Sequence, residues 1–388
     1  MEYAQLDSKE WSHIVARLGG EDALASSARE HRAFIRARGV KSAVDVLRLA
    51  LLYGPGGHSL RSVAAMAAAA GLADVSDVAV LDRLKCAADW VESLCKERLA
   101  RIAGEIGVKP TERSIRIVDG SRLEGPGDRV WRLHLCYDAG LARIVDAVIT
   151  TTKDGERLDR LTVTPGEIRL GDRGLPQPDG IRNTLAAGAD VVVRLTWNSL
   201  QMTTGGKPID WLKLFKMASE QGSLDMPVRV HKAHSRFEPI DMRLVIIKKP
   251  PGAVTRARAK ARRMSRKNQR RTDPRTLAGA DYIILLTSLE REEFPIELIG
   301  ALYRLRWQIE LAIKRLKSIL HIDRLPAKHP DLVRTWLHAH LLLALLLDDI
   351  TAKLDAISPS ATEFATNLAL AQDRPPRGRR ACRHLAAA

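Results

Sequence analysis

The periodicity of the chain changes once, at Ser114, and that change restricts the fold more than anything else in the sequence. From about residue 8 to 105 the sequence is rich in Ala, Leu, Arg and Glu and poor in strand formers, which predicts helices throughout. Beyond it, Ser114–Leu123, Val130–Asp138 and Arg143–Thr151 are short, alternating Val/Ile/Leu-rich segments parted by Gly, Pro and Asp. That pattern predicts three consecutive antiparallel strands. A fourth apolar piece, Ile168-Arg169-Leu170, runs into Gly171-Asp172-Arg173-Gly174; a helix near Gly180–Ala187 and a fifth strand, Asp190–Leu195, follow. The order ββββαβ predicts an α/β fold with a mixed sheet and helices packed on it.

Residues 198–280 interrupt this pattern with two further strands, Pro227–Lys232 and Met242–Lys249, and then a basic run. Arg256–Arg271 holds nine basic residues and no acidic one. Tyr282–Leu289 is strand-like again, Pro295 opens a long helix running to about Leu320, and another helix is expected over Asp331–Leu354. The expected organisation is a helical N-terminal unit (1–105), a sheet core in two parts (106–197 and 281–355), a β-rich segment between them (198–280) and a basic tail (356–388). The tail is Arg/Pro-rich from Ala371 on, a composition expected to be disordered.

Charge narrows the class of partner. Lys plus Arg number 62 against 46 Asp plus Glu, a formal net charge of +16, which points to a polyanion, most commonly nucleic acid. Within the helical unit, Ser59 can cap a helix ended by Gly71, and a second helix starts near Ser76 and carries Arg83 and Lys85. Helix, glycine turn, helix suggests a DNA-binding pair with Arg61, Arg83 and Lys85 as base-reading candidates, although an ordinary helical hairpin has the same signature. The four cysteines form no CxxC pair and are expected to be reduced thiols. Met1–Glu10 carries acidic residues and no apolar run, so no secretory leader is expected, and the most apolar stretch, Thr335–Leu347, is too short to span a bilayer. The expectation is a cytoplasmic, nucleoid-associated protein with no membrane partner.

The long helix carries the densest chemistry. Tyr303, Arg306, Glu310 and Lys317 sit at offsets that fall, at about 100° per residue, within a stripe roughly 60° wide. Lys314 and Trp307 flank it. A solvated face with an Arg306–Glu310 pair would look the same. Two aspartates change the weighing: Asp119 follows the apolar Ile115–Val118, and Asp172 ends the fourth strand, each with glycine nearby. Either alone could be a turn residue. Together with Glu310 they make three carboxylates on rigid elements, the hard-oxygen set that Mg²⁺ takes for phosphodiester chemistry. Arg306 and Lys317 share the helix face and could bind phosphate.

Tyr303-x2-Arg306-x3-Glu310-x6-Lys317 resembles the Tyr-Arg-Glu-Lys signature of DDE transposases of the IS-four type, with every spacing intact. Asp119 in Val-Asp-Gly-Ser and Asp172 in Gly-Asp-Arg-Gly resemble that family's first two catalytic aspartates. The resemblance implies an RNase H-like catalytic domain whose mixed sheet is interrupted by a β-rich insertion and preceded by an all-α N-terminal DNA-binding domain. It implies Asp119, Asp172 and Glu310 as catalytic residues and ligands of two Mg²⁺ ions, with Mn²⁺ able to substitute. It further implies nicking at insertion-sequence ends, strand transfer into target DNA by a cut-and-paste route, and a homodimer on paired terminal inverted repeats. Tyr303, Arg306 and Lys317 would contact the end near the scissile phosphate. The family often has a Trp before the Glu-bearing helix that holds a flipped base; Tyr282 is the nearest aromatic here, and Trp307 a second candidate. Arg262, Arg263, Arg266, Lys267, Arg270 and Arg271 in the basic run are expected to contact the DNA backbone. Two other readings fit the same residues: a DNA-binding regulator without catalysis, and an RNase H-like nuclease that cuts but never joins.

Overall fold

The computed structural model describes residues 8–105, 113–126, 130–151, 153–232 and 238–355, so the basic tail expected over 356–388 lies outside the described residues. Six helices come first: α1 (Ser8–Arg17), α2 (Glu21–Glu30), α3 (Ala43–Tyr53), α4 (Leu60–Ala69), α5 (Asp77–Cys86) and α6 (Ala88–Glu105). The starts of α4 and α5 follow the two serines read in the sequence. Ser59 accepts from the Ser62 N–H and Ser76 from the Ala79 N–H, both at 3.2 Å, satisfying donors that the first helical turn leaves open. Gly71, with φ of +67°, makes the left-handed turn after α4.

The strands are β1 (Ile115–Glu124), β2 (Val130–Asp138), β3 (Arg143–Thr151), β4 (Ile168–Gly171), then α7 (Pro178–Ala186) and β5 (Asp190–Arg194). Next come β6 (Gln201–Thr204), β7 (Lys207–Pro208), α8 (Trp211–Gln221), β8 (Ser223–His231), β9 (Ile240–Lys248), α9 (Pro251–Lys267), α10 (Pro274–Gly279) and β10 (Tyr282–Thr287). The chain closes with α11 (Ile296–Arg304), α12 (Trp307–Ser318) and α13 (Pro330–Asp355). All ten strands form one sheet in the order β3-β2-β1-β4-β5-β10-β9-β8-β6-β7. β1, β4 and β5 are mutually parallel, and the other pairings are antiparallel. The segment expected to interrupt the fold therefore extends its sheet, because β10 pairs with β5 on one side and β9 on the other. The apolar runs Val191-Val192-Val193 and Ile284-Leu285-Leu286 are buried, as central strands covered on both faces must be.

Two departures from the sequence reading matter for the site. The helix expected from Pro295 to Leu320 is broken in two. At the joint, Leu305, Arg306 and Gln308 donate to carbonyls three residues back, so a 3₁₀ turn replaces the α-helical ladder between α11 and α12. Secondly, α13 packs against α3, α5 and α6 as well as β3, which joins the two ends of the chain in one core. Arg334 on α13 pairs with Asp89 and Glu92 on α6, both at 2.6 Å, and Thr335 donates to the Leu84 carbonyl.

Buried histidines on α13 give the fold an acid sensitivity. His338 and His340 donate from Nδ1 to the carbonyls four residues back, and burial pushes each imidazole down to about 4. Between pH 6.5 and 4 the unfolded chain therefore binds protons that the folded chain does not, and stability falls as pH falls through that window. Each histidine amounts to roughly 3 kcal/mol at most, at about 1.4 kcal/mol per pKa unit. Urea midpoints at pH 7 and 5 should differ less in a His338→Gln/His340→Gln variant than in wild type; an equal difference would assign the acid sensitivity elsewhere.

Candidate active site

Strand register alone brings the two aspartates together. Val118 on β1 is level with Gly171 on β4, so Asp119, midway along β1, lies beside Asp172, the residue just past the end of β4. Gly171 is in turn level with Val193, which sets Arg194 next in the same row. α11 and α12 deliver the rest. Tyr303 closes α11 almost buried, Arg306 stands at the 3₁₀ joint, and Glu310 lies in the first turn of α12.

Arg306 is the hub. Its Nη1 lies 3.8 Å from Asp119 Oδ2 and 3.9 Å from Asp172 Oδ2, while Nη2 donates to Glu310 Oε1 at 2.5 Å. One guanidinium thus reaches all three carboxylates that sequence reasoning singled out. The Tyr303 hydroxyl donates to Asp172 Oδ1 at 2.9 Å, and Arg194 Nη1 approaches the same oxygen at 4.0 Å.

The environment separates the two aspartates. Burial pushes Asp119 up to about 6, aided by the nearby charges of Asp172 and Glu156 and opposed by the Gly120 N–H and Arg306. Burial acts on Asp172 in the same sense, but Arg306, the Tyr303 hydroxyl and Arg194 outweigh it and hold this carboxyl below the usual range. Arg306 is held more firmly protonated than a free guanidinium, since Tyr303, Asp172 and Glu310 together outweigh its burial.

Asp119, Gly120, Glu310, Ile313, Lys314, Lys317, Ser318 and Asp323 line an open cleft of about 470 Å³. Lys317 donates weakly to the Arg122 carbonyl at 3.4 Å, and Lys314 is exposed. Trp307, which opens α12, is 54% exposed. As the side chains stand, no three His, Cys, Asp or Glu groups among the described residues are close enough together to hold an ion, since the carboxylates turn toward Arg306. The donor set still suits a hard divalent cation, being three carboxylates within reach of one positive centre.

Other sequence candidates fare unevenly. Tyr282 is a correction: its ring is buried, stacked on Phe215 with centroids 5.3 Å apart, and its hydroxyl donates to the Phe215 carbonyl. No base can stack there, because the alternation of β10 points this residue into the core. The Arg83 Nη2 donates to the carbonyls of Arg36 and Arg38 at 3.4 and 3.2 Å at the surface of the helix pair. Lys85 lies 3.5 Å from Asp82, and Arg61 is exposed. Arg262, Arg263, Arg266 and Lys267 are exposed on α9, and Arg270 and Arg271 just after it. Sequence reasoning missed two residues. Arg194 ends an apolar strand and Asp172 directly follows one, a parallel that register alone makes meaningful. Glu156 sits against Gly120 and Gly174, where an added Cβ would come within 2.9 and 2.6 Å of its carboxylate oxygens; nothing local in the sequence marks it.

Residues 110–347 match the family described as the transposase DDE domain, more than half of the chain. The chain belongs to the DDE transposases. It is 39% identical over 346 residues to the putative transposase InsL for insertion sequence element IS186A of Escherichia coli (strain K12), covering 88% of this chain and 93% of the relative. It is likewise 39% identical over 347 residues to the transposase for insertion sequence element IS421 of Escherichia coli, with the same coverage. The transposase is thus an enzyme of the insertion-sequence class acting on DNA, and its family implies use of a divalent metal ion. No helix among its described residues is long and apolar enough to cross a membrane.

Proposed function

We propose that this transposase cleaves DNA at the ends of its own insertion sequence and joins them to target DNA, with Asp119, Asp172 and Glu310 as the catalytic carboxylates. The observation that carries the reading is the convergence of these three on Arg306 from β1, β4 and α12. The β3-β2-β1-β4-β5 half of the sheet acts as an RNase H-like unit, and residues 198–280 as an insertion into it. Asp119, Asp172 and Glu310 would hold two Mg²⁺ ions, with Mn²⁺ as substitute. When bound, the metal supplies an activated attacking hydroxyl and a stabilised leaving oxygen. Tyr303 keeps Asp172 oriented and ionised through its hydroxyl. Arg306 neutralises the carboxylates and, with Lys314 and Lys317 along the cleft, offers cations to the phosphates of the transposon end. Trp307 presents an exposed ring on which an unpaired base can stack. α9 and the residues after it contact backbone phosphates, and two protomers act on two terminal repeats.

Labelled terminal repeats incubated with Mg²⁺ test the function. Joined products support a transposase working by strand transfer, cut products alone indicate hydrolysis only, and binding without either indicates a regulator. Tyr303→Phe tests the local geometry. It removes one hydrogen bond to a charged group, about 1.5–3 kcal/mol, and should slow cleavage at least about tenfold while end binding is unchanged. Wild-type cleavage in this variant would remove Tyr303 from the site.

A further inference from the structure

Positive charge is also gathered on the side of Asp172 away from the cleft. Arg194 follows Asp172 in the row set by register and lies over the Tyr303 ring, 5.9 Å from its centroid. Among the described residues its buried Nε finds no hydrogen-bond acceptor. Arg173, next to Asp172, is exposed and close enough to Arg194 to feel its charge. Lys249, one residue past β9, donates to the Ala280 carbonyl at 2.6 Å. Burial, with the guanidiniums of Arg194 and Arg173, pushes this ammonium down to about 8. The carboxylates nearby are already engaged, Asp172 by Tyr303 and Arg306 and Asp281 by Arg258. Two residues beyond Lys249, Pro251 opens α9, in which no residue is buried. A helix with nothing buried is held here by the Arg258–Asp281 pair and presents its cations to solvent. The result is a continuous positive path from Asp172 over the ends of β5, β10 and β9 onto α9.

We propose that Arg173, Arg194 and Lys249, continued by α9, form a second phosphodiester-binding track that receives the target duplex. This rests on the strand-transfer reading above, and the chemistry supplies its reason. In strand transfer the 3′-hydroxyl oxygen of the element end bonds to a target phosphorus, the bond from that phosphorus to the target's own 3′ oxygen breaks, and the hydroxyl proton ends, through solvent, on that leaving oxygen. No co-reactant is needed. Attacking and leaving oxygens lie in line on opposite sides of the phosphorus. The two duplexes therefore meet the carboxylates from different sides. The cleft of Glu310, Lys314 and Lys317 serves one side, and the Arg173–Arg194–Lys249 cluster the other.

The test uses the full chain carrying Arg173→Gln and Lys249→Gln, with Arg262→Gln/Arg266→Gln on the exposed face of α9 as a second variant with little risk to folding. Binding of a labelled duplex lacking the element's ends is measured in EDTA across a salt series, and joining and end cleavage are measured in Mg²⁺. Each variant should lower the slope of log affinity against log salt by about two, one per lost phosphate contact. Joined products should fall at least about tenfold, and by more than end cleavage does. An unchanged salt slope in both variants overturns the track. An equal loss of end cleavage and of end-duplex binding gives these cations to the transposon end and overturns the target assignment. A wild type that cuts but never joins refutes the strand-transfer reading by itself, and the metal-free binding arm still decides whether the track exists.

Discussion

Replacing Glu310 with Gln should abolish end cleavage while leaving DNA binding intact. Glu310 lies exposed in the first turn of α12 and fills no part of the core, so the substitution keeps the helix and its packing. It removes one of three negative oxygen donors that converge on Arg306. Loss of a residue that merely supports a metal ligand costs about 10–100-fold in metal affinity or activity, so loss of a ligand itself should cost more than about a hundredfold in cleavage. Binding should be equal to wild type or tighter, since one negative charge has left a surface meant for a polyanion. Gel-shift and cleavage assays on the same duplex separate the two effects. Cleavage within about tenfold of wild type would remove Glu310 from the catalytic set.

The largest loss of stability is expected at Arg169. Its side chain is fully buried and satisfied. Nε donates to Glu167 Oε1 at 2.7 Å, Nη1 to the Leu158 and Leu161 carbonyls at 2.6 and 3.1 Å, and Nη2 to the Thr162 carbonyl at 2.5 Å. These bonds tie the segment around Leu158–Thr162 to β4, the strand that runs into Asp172. Arg169→Leu fills much of the volume but takes the guanidinium from the buried Glu167 carboxylate, which keeps the Thr164 N–H and the more distant Arg116, and from the Leu158, Leu161 and Thr162 carbonyls. Breaking a buried pair in this way costs about 3–5 kcal/mol. The urea midpoint should drop accordingly, and the companion Glu167→Gln/Arg169→Leu variant should recover part of the loss because the Glu167 charge goes with its partner, while Arg116 keeps Asp138 at 2.9 Å. A loss below about 1 kcal/mol would mean that the loop is held by its apolar contacts.

Much of this was legible from residues alone, where the signal is local. Alternation placed Val130–Asp138 and Arg143–Thr151 to the residue, and Ser59, Ser76 and Gly71 marked the helix pair. Asp119, Asp172 and Glu310 were singled out by their neighbours together with the resemblance to the family signature, and the fold adds that they converge on Arg306. What was not legible depends on which strand pairs with which. The continuity of the sheet through β10, the position of Arg194 beside Asp172 and the approach of Glu156 to Gly120 and Gly174 all come from non-local contacts. The joint at Leu305 and Arg306 escaped because neither Gly nor Pro marks the 3₁₀ turn there. Tyr282 misled because an aromatic at a strand start reads the same whether it faces the core or a ligand, and only the fold shows that it meets Phe215.

The central claim is that Asp119, Asp172 and Glu310 act as one catalytic unit. It is tested most directly by single-turnover end cleavage in Mg²⁺ for Asp119→Asn, Asp172→Asn, Glu310→Gln and the triple variant, each first shown to bind the end. Residues acting as a unit are strongly non-additive, so each single substitution should reduce the rate nearly as far as the triple does. Three modest losses that multiply to the triple value, or one variant that cleaves at the wild-type rate, would contradict it.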